Sequence, residues 1–78
     1  MKLIALNLPR NFDEHSLALM FKKIGDIKFC TLVIDKYTGI SKGFGFVEMV
    51  FAYDGEIAIN ELHGSKMGKN KIRIKKAV

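Results

Sequence analysis

Two stretches of this chain space their apolar residues as a helix does, and four short runs around them have the composition of strands. That succession limits the fold more than any other feature. The first helical stripe is Leu17, Met20, Phe21 and Ile24, with Asp13 placed to cap it and Gly25 to stop it. The second is Gly55, Ala58, Ile59 and Leu62; Asp54 and Glu56 stand near its start, where the helix dipole favours negative charge, and Gly64 closes it. Residues 3–8 are an apolar run ended by Pro9, too short for a helix, which predicts a strand over about residues 2–7. Residues 27–34 are rich in β-branched and aromatic side chains and lead into the turn sequence Asp35-Lys36-Tyr37-Thr38-Gly39. Residues 44–50 are the third strand, joined to the second as a hairpin by a loop in which Gly39 and Gly43 permit tight backbone geometry. Lys71-Ile72-Arg73-Ile74-Lys75 alternates basic with apolar, the period of a half-buried strand. The order is β-α-β-β-α-β, and two amphipathic helices can cover only one face of a four-stranded sheet. The other face is left to water or a partner.

At 78 residues the chain has room for one core, so residues 1–78 are read as a single domain. Cys30 is the only cysteine, which excludes an internal disulfide and a thiolate-built metal site and fits a reducing compartment. The apolar opening at residues 3–6 resembles the start of a secretory signal, but Asn7, Pro9 and Arg10 end it early. No run approaches the ~18 apolar residues of a membrane span, so a soluble, membrane-free and cytoplasmic protein is expected, or a nuclear one if the chain is a domain excised from a eukaryotic protein. A start at Met1 just before the first strand resembles small stand-alone proteins, and an excised domain would look the same. Thirteen basic residues against eight acidic ones give a net charge of +5, which favours polyanionic partners. Residues 66–76 hold six of the cations and no acid, a pattern that also suits a plain solvated tail.

Strand alternation sharpens the choice. Lys42, Phe44, Phe46 and Glu48 fall on one side of the third strand, and Gly43, Gly45, Val47 and Met49 on the other. Val47 and Met49 suit the core, so the two phenylalanines are expected on the open face, where exposed rings are a cost unless something stacks on them. Every base has a π-face that can do so, worth roughly 1–3 kcal/mol each. With Ile72 and Ile74 inward, Lys71, Arg73 and Lys75 join the rings, and cations there can neutralise phosphates. The competing account is a face covered by another chain or by a missing terminal helix.

Lys42-Gly43-Phe44-Gly45-Phe46-Val47-Glu48-Met49 matches K/R-G-F/Y-G/A-F-V-x-F/Y at every position but the last. On that octamer the chain resembles an RNA recognition motif. Leu3-Ile4-Ala5-Leu6-Asn7-Leu8 is similar to the family's first-strand hexamer, and Gly25, Asp35, Thr38-Gly39, Leu62 and Gly64 fall where the family carries such residues. The resemblance implies an α+β ferredoxin-like sandwich, with a four-stranded antiparallel sheet of order 4-1-3-2 and both helices on one face. It implies binding of single-stranded RNA, with single-stranded DNA as a further ligand, in post-transcriptional regulation or RNA chaperoning. Phe46 would stack on a base, Phe44 pack against sugars and Lys42 pair with a phosphate. The whole contact set implied is Lys2, Ile4, Leu6 and Asn7 on the first strand, Thr31 and Val33 on the second, Lys42, Phe44, Phe46 and Glu48 on the third, and Lys71, Arg73, Lys75 and Lys76 on the fourth. Two positions within the motifs depart from the family. Ile4 stands where a further aromatic platform is usual, and Met49 replaces the octamer's last aromatic.

No catalytic residues, metal ligands or cofactor are expected. His15 and His63 have no carboxylate or cysteine at ligand spacing and read as surface or helix-end residues, and Cys30 as a small apolar one. An acylphosphatase-like enzyme of the same fold would carry a glycine-containing anion loop after the first strand, which Asn7-Leu8-Pro9-Arg10 does not. Val50, Phe51, Tyr53 and Ile57 are apolar where similar domains tend to be polar. They either extend the core or form a patch for a protein partner or a second copy, and the latter makes a protein-interaction module the alternative function.

Overall fold

The structure is a computed structural model that describes residues 1–77. Its elements run β1 (Lys2–Leu6), α1 (Glu14–Lys22), β2 (Ile27–Ile34), β3 (Ser41–Met49), α2 (Ala52–Leu62), β4 (Lys66–Met67), β5 (Asn70–Lys71) and β6 (Arg73–Lys76). Local chemistry sets several of these bounds. The Asp13 carboxylate accepts the Ser16 N–H at 2.7 Å, which caps α1 as expected. Asp35 accepts the N–H groups of Tyr37 and Thr38 at 2.8 and 3.0 Å, and its carbonyl accepts from Gly39, whose φ of +74° a glycine adopts freely. These bonds close the turn between β2 and β3.

The main sheet is antiparallel with order β2-β3-β1-β6, the expected order once β6 is counted as the fourth strand. With both helices on one side, the fold is the ferredoxin-like sandwich. The fourth strand, however, is not continuous from residue 71. Lys66 pairs with Lys71 and Met67 with Asn70 in a separate ribbon turned at Gly68, whose φ is +62°. Ile72 then donates its N–H to Ser65 and accepts from Gly64, and only from Arg73 does the chain join β1.

Leu3 and Ala5 of β1, Val47 and Met49 of β3 and Ile74 of β6 are buried against Leu17 and Phe21 of α1 and Ala58 of α2. Each large aliphatic or aromatic side chain so buried stabilises the fold by about 1.5–3 kcal/mol. Gly45 sets how close α1 can come. A Cβ there would lie 2.6 Å from the Thr31 carbonyl oxygen and 2.9 Å from Leu17 Cδ2, so the helix rests on bare backbone.

Val50, Phe51, Tyr53 and Ile57 do not extend the core. They are 42–64% exposed, because α2 turns its Gly55–Ala58 side inward and leaves Tyr53 and Ile57 outside. Phe51 and Tyr53 stack on each other, ring centroids 5.4 Å apart. Among the described residues no helix is long and apolar enough to cross a membrane.

Candidate nucleic-acid interface

Residues directly opposite in antiparallel strands share a face, so the register lays out the open side row by row. The central row is Lys75, Ile4, Phe46 and Thr31, read across β6, β1, β3 and β2. Above it lie Lys2, Glu48 and Phe29. Below it Arg73 faces Leu6, with Phe44 two residues before Phe46 on β3. Cations from two strands thus border the rings of the third.

The two phenylalanines are half-buried rather than fully exposed, since their rings meet edge to face with centroids 6.2 Å apart at 83°. The Lys2 ammonium sits 5.1 Å from the Phe46 centroid, a cation–π contact worth about 0.5–1 kcal/mol at an exposed site. Gly43 separates Lys42 from Phe44 at a φ of +86°, a conformation that a side chain would strain. Its N–H donates to Ser41 Oγ at 3.0 Å and its carbonyl accepts from Leu8 at 2.8 Å, which fixes where Lys42 and Phe44 leave the backbone.

Other expected contacts have different places. Lys76 is corrected: it lies opposite Leu3 on the helix side, and its ammonium pairs with Glu56 of α2 at 2.9 Å. Adjacent strand residues point to opposite faces, so Lys75 and Lys76 cannot both be on the open one. Lys71 is exposed but belongs to the β4–β5 ribbon and not to the sheet. Asn7 takes a φ of +62°, donates from Nδ2 to the Lys71 carbonyl at 3.0 Å and accepts from Asn70 Nδ2 at 3.0 Å. It pins the ribbon to the end of β1. Val33 is half-buried on β2 where the register slips between Leu32 and Ile34.

Phe29 is the residue that sequence reasoning missed. It lies opposite Glu48, 41% exposed, and adds a third ring to the open face. The signal was present, since Phe29 shares the parity of Thr31 and Val33. Cys30, on the other side, is held up at about 11 by burial and then by the Glu14 carboxylate, so it stays a neutral thiol at neutral pH.

A four-stranded sheet with rings and cations on its uncovered side defines a class of nucleic-acid-binding domain. Residues 6–73 match the family model described as RNA recognition motif, and the chain belongs to that family. It is 35% identical over 74 residues to the chloroplastic RNA-binding protein CP29B of Arabidopsis thaliana, covering 95% of this chain and 26% of that protein. The chain therefore spans about a quarter of that relative's length. Among solved structures it is similar to the RNA binding protein PG1, with a TM-score of 0.95 and 32% identity over 100% of this chain and 94% of the other. It also resembles the Sxl-lethal protein in a protein/RNA complex, with a TM-score of 0.94 and 30% identity over 99% and 46% of the two chains.

Proposed function

We propose that residues 1–78 act as one domain that binds a short single strand of RNA across the open face. The observation that carries this is the juxtaposition of Phe44, Phe46 and Phe29 with Lys2, Lys75 and Arg73 on the side of the sheet away from the helices. Phe46 stacks on a base and Phe44 packs against sugars, while Lys42, Arg73, Lys75 and Lys2 neutralise phosphates. Phe29 supplies on β2 a platform that Ile4 does not supply on β1. Single-stranded DNA offers the same bases and phosphates without the 2′-hydroxyl and is a second ligand of the same face. Membership of a binding family, and the similarity to a protein solved with RNA, support binding and not catalysis as the activity. Post-transcriptional regulation or RNA chaperoning is the role that suits it, in the cytoplasm, where a lone cysteine stays reduced.

Fluorescence polarisation with labelled random-sequence RNA, single-stranded DNA and duplex RNA tests this reading. Single strands are expected to bind and the duplex not to, because paired bases cannot reach the rings. Equal affinity for all three would leave only a charge-driven contact.

A second reading concerns the helix side, where Val50, Phe51, Tyr53 and Ile57 stand exposed and Phe51 stacks on Tyr53. This patch is proposed to hold a protein partner or a second copy. Sedimentation at rising concentration should show association that Phe51→Glu abolishes with RNA affinity unchanged, and a monomer throughout would exclude a second copy.

A further inference from the structure

Where β1 ends and β3 begins, a cleft of about 370 Å³ opens beside Phe44, lined by Leu6, Asn7, Leu8, Arg10, Lys42, Asn70 and Arg73 among others. Three cations from three segments meet there, and among the described residues no acid lines it. Arg10 belongs to the loop after β1, outside the sheet and outside the octamer. It is nevertheless built in. Its Nη1 donates to the Ser41 carbonyl at 3.1 Å, and its guanidinium packs against Gly43, where an added Cβ would come within 3.2 Å of Nε. That is its one bond among the described residues, and it leaves most of the fork's five donors to a ligand. Asn70 is tied by Nδ2 to the Asn7 carbonyl, which holds the opposite wall. The Asp35 carboxylate, which feels the Lys42 charge, is already taken up by the N–H groups of Tyr37 and Thr38.

We infer that this cleft is a separate nucleotide subsite that takes the strand as it runs off the sheet past Phe44. Arg10 and Lys42 hold its phosphodiester, and Asn7 and Asn70 face its base or sugar. The inference rests on the RNA-binding reading. The volume lies within the ~300–1,000 Å³ of small-ligand clefts, enough for one nucleotide and not for several. A planar guanidinium fixed by one carbonyl presents its remaining donors in a set direction, which suits the two oxygens of a phosphodiester better than a free lysine does.

The test compares parent, Arg10→Gln and Arg10→Lys on random-sequence RNAs of three and of eight nucleotides, with a thermal melt of each variant. In the parent the longer RNA should bind more tightly. Arg10→Gln should remove about tenfold of that affinity, the loss of one charge-assisted hydrogen bond, and flatten the salt slope by about 0.7 while leaving the three-nucleotide ligand unaffected. Arg10→Lys should recover the slope but only part of the affinity. If Arg10→Gln binds both lengths as the parent does, the subsite is overturned and the sheet reading stands. If the parent binds neither RNA, both fall together. Should loss of the bond to Ser41 unfold Arg10→Gln, NMR of the parent decides. The Arg10 Nε–H and Asn70 amide resonances should move with eight nucleotides and not with three, and their standing still with both would refute the inference.

Discussion

Phe46 is the residue on which most of the binding account converges, since it touches Phe44 at its edge, carries Lys2 over its face and lies opposite both Ile4 and Thr31. Phe46→Ala should weaken RNA binding by about 1–3 kcal/mol. Because the ring is half-buried, a modest fall in melting temperature should accompany the loss, and titration plus a thermal melt separates the two effects. Ile4 is next to it, half-buried between Phe46 and Lys75. An aliphatic chain can pack on a base but gives no π-face, so Ile4→Phe should tighten binding by no more than the ~1–3 kcal/mol of one stacked base. Di-, tri- and tetranucleotide titrations check this; no gain at any length, with the fold intact, would mean that Ile4 does not meet a base. At this scale the octamer made Phe44, Phe46 and Lys42 legible in sequence, because a strand's period of two assigns each a side. The same period, followed from Thr31 back to Phe29 and from Lys75 on to Lys76, already held the ring that was missed and the lysine that was misplaced.

Among the elements, the hairpin of β2 and β3 is the one whose packing is least forgiving, because Gly45 brings its backbone against α1. Gly45→Ala should destabilise the fold by about 1–3 kcal/mol, since the added carbon meets a backbone oxygen that cannot move away as a side chain can. Chemical denaturation of the variant measures it, and a change within error would show that the β2 backbone at Thr31 can yield as well as the Leu17 side chain. Both helices and the first three strands were readable, because a 3.6-residue stripe and a β-branched run each state their own conformation. The fourth strand was only half readable. Its alternation is real from Arg73, but the bonds of Ile72 to Gly64 and Ser65 draw the preceding residues into a ribbon, and those partners are tertiary. Nor could the fate of Val50, Phe51, Tyr53 and Ile57 be read. The sequence states that they are apolar; which way α2 rolls on the sheet decides that they are exposed.

For the whole molecule, a net charge of +5 is divided between faces in a way that the total conceals. Lys76 is spent on Glu56 at the helix side, while Lys2, Lys75 and Arg73 share the open face and Arg10 and Lys42 the cleft at its end. A short RNA across that face meets only a few phosphates, so log affinity should fall against log salt with a slope on the order of −2 to −3. A flat response would take the cations out of the interface. The central claim, that RNA lies on the face away from the helices, is tested most directly by following the protein's NMR resonances as short single-stranded RNA is added. The account predicts shifts at Phe29, Phe44, Phe46, Ile4, Lys2 and Arg73, with Phe51, Tyr53 and Ile57 unmoved. Shifts confined to α2 and its exposed aromatic pair, with the open face silent, would contradict it.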